Sequence, residues 1–146
     1  MRIYLDNCSL NRPFDHQGQL RIRLETEAKL AIQQAVLDSK IELVWSYVLD
    51  MENESNPFND RRTTIAPWKA RAIEDVEAAP EILDKGRELQ SLGLKAKDAL
   101  HVSCAIRSAC RFFITTDDDI IRKNNIITEI VIINPIDFIR EQHHDN

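Results

Sequence analysis

The chain contains little glycine, little cysteine and no long apolar segment, and each shortage excludes a class of protein. The 146 residues include three glycines, and neither GxGxxG nor GxxxxGKS/T occurs, so no glycine-rich loop can hold a nucleotide phosphate. The three cysteines, Cys8, Cys104 and Cys110, are odd in number and lack CxxC spacing, which argues against disulfides and a zinc site. No apolar run approaches the ~18 residues that cross a bilayer, and the N-terminus has no secretory signal pattern. We therefore expect a cytoplasmic protein that does not contact a membrane.

The chain also lacks an excess of positive charge. Its formal net charge is -5 at pH 7, the wrong sign for a protein that holds nucleic acid by bulk charge alone. Contact with nucleic acid must then depend on local basic patches or on a bound cation. Candidate phosphate contacts are Arg12, Lys95 and Lys97, of which the two lysines bracket Asp98. The alternative interpretation of each is a solvated helix face.

Predicted strands alternate with predicted helices along the chain. The length suits one domain, which we expect to span 1–146. Short apolar runs predict strands at 2–5, 41–45, 111–116 and 130–133. Helical spacing predicts helices at 20–37, 47–55, 81–92, 96–107 and 135–140, with a loop at 11–19 and a frayed tail at 141–146. This alternation predicts an α/β fold, a three-layer α/β/α sandwich with a central parallel sheet.

Two aspartates follow predicted strands directly. Asp6 ends the first apolar run, and Asp117 follows the third strand in FITTDDD. Ligands of parallel sheets bind beyond the carboxyl ends of the strands, because loops and helix N-termini converge there. We therefore expect both carboxylates to face one crevice, although each alone also suits a helix N-cap or a turn.

Two further acids lie on predicted helices. Glu52 shares a helix face with Val48 and Leu49, the more apolar side of SYVLDMENES, so we expect it to point inward. Asp98 opens the most apolar helix, on a face shared with Leu94, and is also expected to point inward. The competing interpretation is that the helix dipole favours an acid in a first turn without any function.

Four carboxylates cannot share one crevice without compensation. Two carboxylates about 4 Å apart repel by roughly 4 kcal/mol at an effective dielectric of 20. Oxygen ligands without cysteine select a hard cation such as Mg²⁺ or Mn²⁺ over zinc. A cation held in this way can activate water and neutralise charge on a phosphodiester, so the pattern predicts hydrolysis of a nucleic-acid backbone. The ligands, or bases that orient the water, would be Asp6, Glu52, Asp98 and Asp117.

Four segments in this order, YLDNCSLNRPF, SYVLDMEN, KDALHVSCA and FITTDDD, resemble the PIN-domain nucleases, including the toxin components of bacterial toxin–antitoxin pairs. The resemblance covers nearly the whole chain. It implies a PIN-like sandwich and a metal-dependent endoribonuclease that acts on single-stranded RNA. A homodimer and an antitoxin partner are also implied for a toxin.

The resemblance also implies roles for particular residues. Asp6, Glu52, Asp98 and Asp117 would be the acidic metal ligands and Asp119 a further one, while a one-residue slip would exchange Asp117 with Asp118. The residues that would support these acids through hydrogen bonds are Asn7, Ser9 and Thr115.

Several alternatives stay open. The polar loop 11–19 and the extra acids of SYVLDMENESNPF depart from the toxin pattern, so a stand-alone PIN protein competes with a toxin. A non-catalytic PIN-like module that binds RNA or a protein competes with an enzyme. His101, three residues after Asp98, is interpreted either as a hydrogen-bond partner of the site or as packed core.

Overall fold

The structure of the protein, a computed structural model, describes the backbone of residues 1–144 and the side chains of residues 1–143. The strands in this range are β1 (Arg2–Leu5), β2 (Glu42–Ser46), β3 (Ala72–Val76), β4 (Phe112–Ile114) and β5 (Val131–Ile133). The α-helices are α1 (Asn7–Asn11), α2 (Leu20–Leu37), α3 (Tyr47–Glu54), α4 (Asn59–Ile65), α5 (Pro80–Ser91), α6 (Ala96–Arg107), α7 (Asp118–Ile121) and α8 (Pro135–His144). Short 3₁₀ helices lie at Arg12–Phe14, Ala66–Arg71 and Arg122–Asn125.

The strands form one parallel sheet in the order β3-β2-β1-β4-β5. The chain builds β2 and β3 on one side of β1 and then β4 and β5 on the other, so the strand order reverses beside β1. Leu5 pairs with Ile114, and the residues that follow these two strands therefore emerge side by side. Open parallel sheets form their ligand crevices at such a reversal.

Helices cover both faces of this sheet. Helix α2 packs against α8, whereas α5 packs against α6, which also contacts α3. The central strand between these two groups is buried on both sides, and Ile3 and Tyr4 have no exposed surface. Its apolar run is what strands covered on both faces require. The predicted three-layer α/β/α sandwich with a parallel sheet is confirmed.

Several elements differ from the sequence prediction. Helix α1 begins where the Asp6 side chain accepts from the backbone N–H of Asn7 at 2.8 Å, and the 3₁₀ helix Arg12–Phe14, with Pro13 in its first turn, lies inside the predicted loop 11–19. The sequence does not predict β3, since this edge strand has exposed residues in place of a continuous apolar run and its Ile73 is 54% exposed. Helix α8 continues to His144, so the predicted frayed tail at 141–146 is helical up to that residue. Positions 145–146 of that tail lie outside the described residues.

No helix in the described part of the chain is long and apolar enough to cross a membrane. The cysteines there are free thiols, with Cys104 and Cys110 buried in the core and Cys8 half-buried at the carboxyl edge of the sheet.

Candidate active site at the carboxyl edge of the sheet

A depression of about 300 Å³ lies where the carboxyl ends of β1 and β4 meet. We call it the acidic depression, and its lining residues are Asp6, Asn7, Cys8, Asn11, Asp15, Glu52, Asp98 and Asp117. The four acids that the sequence singles out therefore face one space, although they come from four distant segments.

The Thr115 hydroxyl joins the aspartates that follow β1 and β4. It donates to Asp6 Oδ2 at 2.9 Å and accepts from the backbone N–H of Asp117 at 3.1 Å. The other oxygen, Oδ1, accepts from the Asn7 backbone, as described for the cap of α1. Asp6 is 5% exposed, so each of its oxygens is satisfied inside the protein and its orientation is fixed.

A buried chain of hydrogen bonds holds Glu52. His101 Nε2 donates to Glu52 Oε1, since an ionised carboxylate can only accept, and the Nδ1 of the same ring lies 2.5 Å from the Tyr4 hydroxyl. That hydroxyl lies 2.6 Å from Ser46 Oγ, which caps α3 by accepting from the Leu49 N–H. His101, Tyr4 and Ser46 have no exposed surface. Through His101 on α6, Glu52 is thus connected to Tyr4 on β1 and to Ser46 at the end of β2.

The second oxygen of Glu52 has its own donor. Asn7 Nδ2 donates to Oε2 at 2.9 Å, and Asn11 Nδ2 in turn donates to Asn7 Oδ1 at 3.1 Å. Burial alone would raise the pKa of Glu52, but the hydrogen bond and charge interaction with His101, followed by Lys97 and Asn7, bring the pKa below its usual value. Glu52 therefore stays ionised at neutral pH.

Asp98 has no hydrogen-bond or ion-pair partner among the described residues. It lies in the first turn of α6 and opens into the acidic depression. Burial, followed by the charges of Asp6 and Asp117, raises the pKa of Asp98 to about 6. A half-buried carboxylate beside other carboxylates is unfavourable unless a positive charge compensates it.

The three consecutive aspartates after β4 point in different directions. Asp117 lines the acidic depression and caps α7 by accepting from the Asp119 N–H at 2.9 Å. Asp118 accepts two hydrogen bonds from Arg21, at 2.8 and 2.7 Å, and so turns away. Asp119 pairs with Arg122 and does not line the depression, although the family resemblance implies that it is a ligand. The geometry therefore favours Asp117, and not Asp118 or Asp119, as the aspartate of this segment that could bind a cation in the depression.

Two other expected site residues are engaged elsewhere. The buried Ser9 donates to the backbone oxygen of Ile114 at 3.2 Å rather than to Asp6. Arg12 donates from Nε to Glu25 and from Nη1 to Asp15, both at 3.0 Å. Arg12 therefore neutralises the rim of the depression, and its guanidinium is not left for a phosphate. Lys95 and Lys97, by contrast, are exposed on either side of Asp98.

Two further residues contact the acids of the site, Cys8, to which the sequence analysis assigns no role there, and His101, whose role it leaves open. The Cys8 thiol donates to Asp6 Oδ2 and lies near Thr115 Oγ1, each at 3.2 Å. Burial and then the charge of Asp6 raise the pKa of Cys8 to about 12, so the thiol stays protonated. The second residue is His101, whose link to Glu52 resolves its two interpretations in favour of the site. Its spacing of three from Asp98 is the only signal that the sequence offers.

The donor set suits a hard divalent cation. Neither the Asp98 carboxylate nor Asp117 Oδ2 accepts a hydrogen bond from any described residue, and both belong to residues that line the depression. Carboxylate oxygens are the ligands that Mg²⁺ and Mn²⁺ prefer. Within residues 1–143, no three His, Cys, Asp or Glu side chains already converge at the spacing of a metal-binding group. The acids thus share the depression without touching a common point.

Comparison with known proteins identifies the family. The sequence matches the family model of the PIN domain over residues 3–126. The chain belongs to the PIN domain family. Its fold is similar to that of a chain in the crystal structure of VapBC2 from Rickettsia felis bound to a DNA fragment from the promoter, with a TM-score of 0.58. The two chains are 12% identical over 92% of this chain and 98% of that one. No curated protein matches the sequence.

The PIN domain match begins within β1 and ends just after the 3₁₀ helix Arg122–Asn125. Every residue that lines the acidic depression lies within this match. The remaining strand β5 and helix α8 complete the sheet and its cover without contributing a side chain to the depression.

Proposed function

We propose that this PIN domain is a divalent-metal-dependent endoribonuclease that hydrolyses phosphodiester bonds of single-stranded RNA. PIN domains are generally nucleases, which supports the reaction class. The observation that carries the proposal is the unpartnered Asp98 in a depression that it shares with Asp6, Glu52 and Asp117. Such a grouping destabilises the protein unless the acids bind a cation.

Each acid has a role in this proposal. Asp6, Glu52, Asp98 and Asp117 would hold Mg²⁺ or Mn²⁺, or orient the attacking water as bases. The bound cation would supply activation of water and neutralisation of phosphate charge. The residues around the acids fix their positions, because Thr115 orients Asp6 and His101 orients Glu52.

Cleavage of a labelled single-stranded RNA with Mn²⁺, Mg²⁺ or excess EDTA tests the activity. We expect cleavage with either metal ion, none with EDTA, and a loss of at least about a hundredfold in Asp98→Asn, in keeping with the removal of a group at the reacting centre. Asp60→Asn is the matched control, because Asp60 is also an aspartate in a first turn, that of α4, but is exposed. Parallel reactions with single-stranded DNA establish the sugar preference.

Two results would contradict the proposal. Cleavage that survives both EDTA and Asp98→Asn would arise from a contaminant or from another site. Binding of RNA without any cleavage by the wild-type protein, together with no effect of metal, would favour the non-catalytic PIN-like module instead.

We also propose that the protein is the toxin of a toxin–antitoxin pair and acts in the cytoplasm. The support is its fold similarity to a chain of VapBC2, whose structure was solved with promoter DNA. An antitoxin partner would be encoded by a small adjoining reading frame. Expression of the protein alone should arrest growth, Asp98→Asn should not, and co-expression of the adjoining frame should restore growth. Normal growth on expression of a nuclease-active protein would favour a stand-alone PIN protein.

We further propose that the protein is a homodimer, as the family resemblance implies for a toxin. Light scattering, which gives the mass of the protein in solution, tests this.

A further inference from the structure

A second cleft of about 260 Å³ adjoins the acidic depression and shares Asp98 and Asp117 with it. We call it the lysine cleft, and its lining residues are Gly93, Leu94, Lys95, Asp98, Asp117, Asp119, Ile120, Arg122 and Lys123. It lies between the start of α6 and the 3₁₀ helix after α7, so it extends from the acids along the surface. A molecule held at Asp98 and Asp117 can therefore continue into this cleft without leaving the protein.

The shape of the cleft depends on Gly93. This residue has φ of +105°, which an L side chain rarely adopts, and it joins α5 to α6. A Cβ atom at this position would lie 2.5 Å from Lys123 Nζ and 3.1 Å from its Cε. The absence of a side chain at Gly93 thus lets the Lys123 amine lie directly against the backbone at the wall of the cleft.

The two lysines of this cleft are unpaired. The side-chain amines of Lys95 and Lys123 make no hydrogen bond or ion pair with any described residue, whereas the nearby Arg122 is held by Asp119 and Arg21 by Asp118. Most arginines of the chain are engaged by acids in the same way, and nine of its nineteen lysines and arginines form no ion pair with a described residue. Two of these unpaired cations stand at the same cleft beside the acidic depression.

We propose that the lysine cleft binds a backbone phosphate of single-stranded RNA, next to the phosphate that is cleaved in the acidic depression. This inference rests on the proposed function. Ammonium groups donate to phosphate oxygens as point charges without reading the base, so they position the strand but do not specify its sequence. They also supply the local attraction that a chain of net charge -5 needs in order to hold RNA.

The salt dependence of RNA binding tests this proposal. Affinity for a short labelled RNA is measured by anisotropy between 50 and 200 mM KCl with Mg²⁺, with Glu52→Gln present in every protein to suppress cleavage. For single strands the slope of log K against log salt changes by about 0.7 for each phosphate neutralised. Lys95→Gln and Lys123→Gln should each reduce the slope by about 0.7, and the double variant by about 1.4, equally for unrelated RNA sequences.

Lys40→Gln is the matched control. Lys40 is exposed and unpaired in the described structure but precedes β2 at the opposite edge of the sheet. The slope of log K against log salt for this variant should equal that of the Glu52→Gln protein with all its lysines intact. If the slope fell equally in Lys95→Gln, Lys123→Gln and Lys40→Gln, the effect would come from the net charge of the protein and not from the lysine cleft. That result would overturn the proposal.

Other outcomes separate the proposal from its alternatives. Unchanged slopes in the Lys95 and Lys123 variants, with wild-type cleavage of RNA, would overturn the lysine cleft but leave the nuclease function. A wild-type protein that neither binds nor cleaves RNA would overturn the function itself. Thermal stabilisation by inorganic phosphate that the double variant loses, without any change in RNA slope, would make the cleft a small-anion site and overturn its role in binding the strand.

Discussion

At the scale of single residues, the folded protein without a metal ion disfavours the ionised form of Asp98. Its pKa rises from the model-compound value of 3.8 to about 6 in the folded protein. Between these two values the native state binds more protons than the unfolded state, so this group lowers stability as the pH rises through that window. The lost stability is not recovered at neutral pH, because there the carboxyl is ionised in both states.

Asp98→Asn should therefore stabilise the metal-free protein. We expect the free energy of unfolding at pH 7 in EDTA to rise by about 1 kcal/mol, less than the full shift implies because solvent screens part of the repulsion. The gain should vanish near pH 4, where the wild-type carboxyl is protonated when folded. Urea denaturation at the two pH values measures this, with Asp60→Asn expected to lose a few tenths of a kcal/mol from the helix dipole. Destabilisation by Asp98→Asn at pH 7 would contradict the view that burial and the neighbouring acids disfavour the charged form of Asp98.

His101 is a positioning residue for Glu52. Loss of its Nε2 donor leaves one Glu52 oxygen unpaired, and groups that orient metal ligands typically contribute 10–100-fold to metal affinity. His101→Leu should therefore weaken Mn²⁺ binding by about 10–100-fold in calorimetry, and His101→Gln, which keeps an N–H donor, should recover part of it. Tyr4→Phe should have a smaller effect in the same direction.

The control for this prediction is stability, measured separately by urea denaturation in EDTA. If His101 only fills the core, His101→Leu would change stability while the Mn²⁺ dissociation constant stayed constant. That outcome would remove the positioning role.

The residue scale also shows what a sequence can reveal about such a site. Asp6 and Asp117 follow strands of a parallel sheet, and this position alone predicts that they meet. The contact between Glu52 and His101 depends on how α3 packs against α6, which no local pattern encodes. Asp118 is turned away from the depression by Arg21, and this long-range pairing is likewise set by tertiary structure, whereas Asp119 pairs with Arg122 only three residues away.

At the scale of elements, the buried Glu25 on α2 ties three parts of the fold together. It has no exposed surface and accepts from Arg12 Nε at 3.0 Å and Arg21 Nε at 3.2 Å. Asn134, just after β5, donates to the same carboxylate. Glu25 thus joins the 3₁₀ helix at the rim of the acidic depression to the end of the sheet.

Glu25→Ala should destabilise the protein by about 1–3 kcal/mol, because it removes the acceptor of the buried Asn134 amide and one of the two acids that pair with Arg12. Glu27→Ala is the matched control on the same helix, since Glu27 is exposed and unpaired in the described structure, and should stay within about 0.5 kcal/mol of wild type. Chemical denaturation of both variants gives the comparison. Equal stabilities would show that the Glu25 network contributes nothing net.

Elements differ in how far the sequence predicts them. Helix α2 follows its apolar spacing and has the predicted limits, and α3 begins at the predicted residue, Tyr47. Strand β3 is missed because it lies at the sheet edge, where exposed acids replace the apolar run of a buried strand. Helix α1 is missed because it is only five residues long and depends on the Asp6 cap rather than on any periodicity.

At the scale of the whole molecule, the fold gathers negative charge at one edge of the sheet in a chain that is already acidic. The strand order reverses beside β1, so the segments after β1 and β4 converge there, and α3 and α6 bring Glu52 and Asp98 to the same place. This concentration costs stability without a cation. We therefore expect the binding of a divalent cation to stabilise the folded protein.

Mn²⁺ should raise the thermal midpoint of the whole protein in a saturable way. A ligand at 100 times its dissociation constant stabilises the native state by about 2.7 kcal/mol, which corresponds to about 5–10 °C for a domain of this size. Asp117→Asn should abolish most of this shift, since it removes one ligand and reduces the repulsion that the cation relieves. KCl at equal ionic strength controls for screening and should give a small, non-saturating change. A full Mn²⁺ shift in Asp117→Asn would place the metal outside the acidic depression, because Asp117 is one of the four acids proposed to hold it.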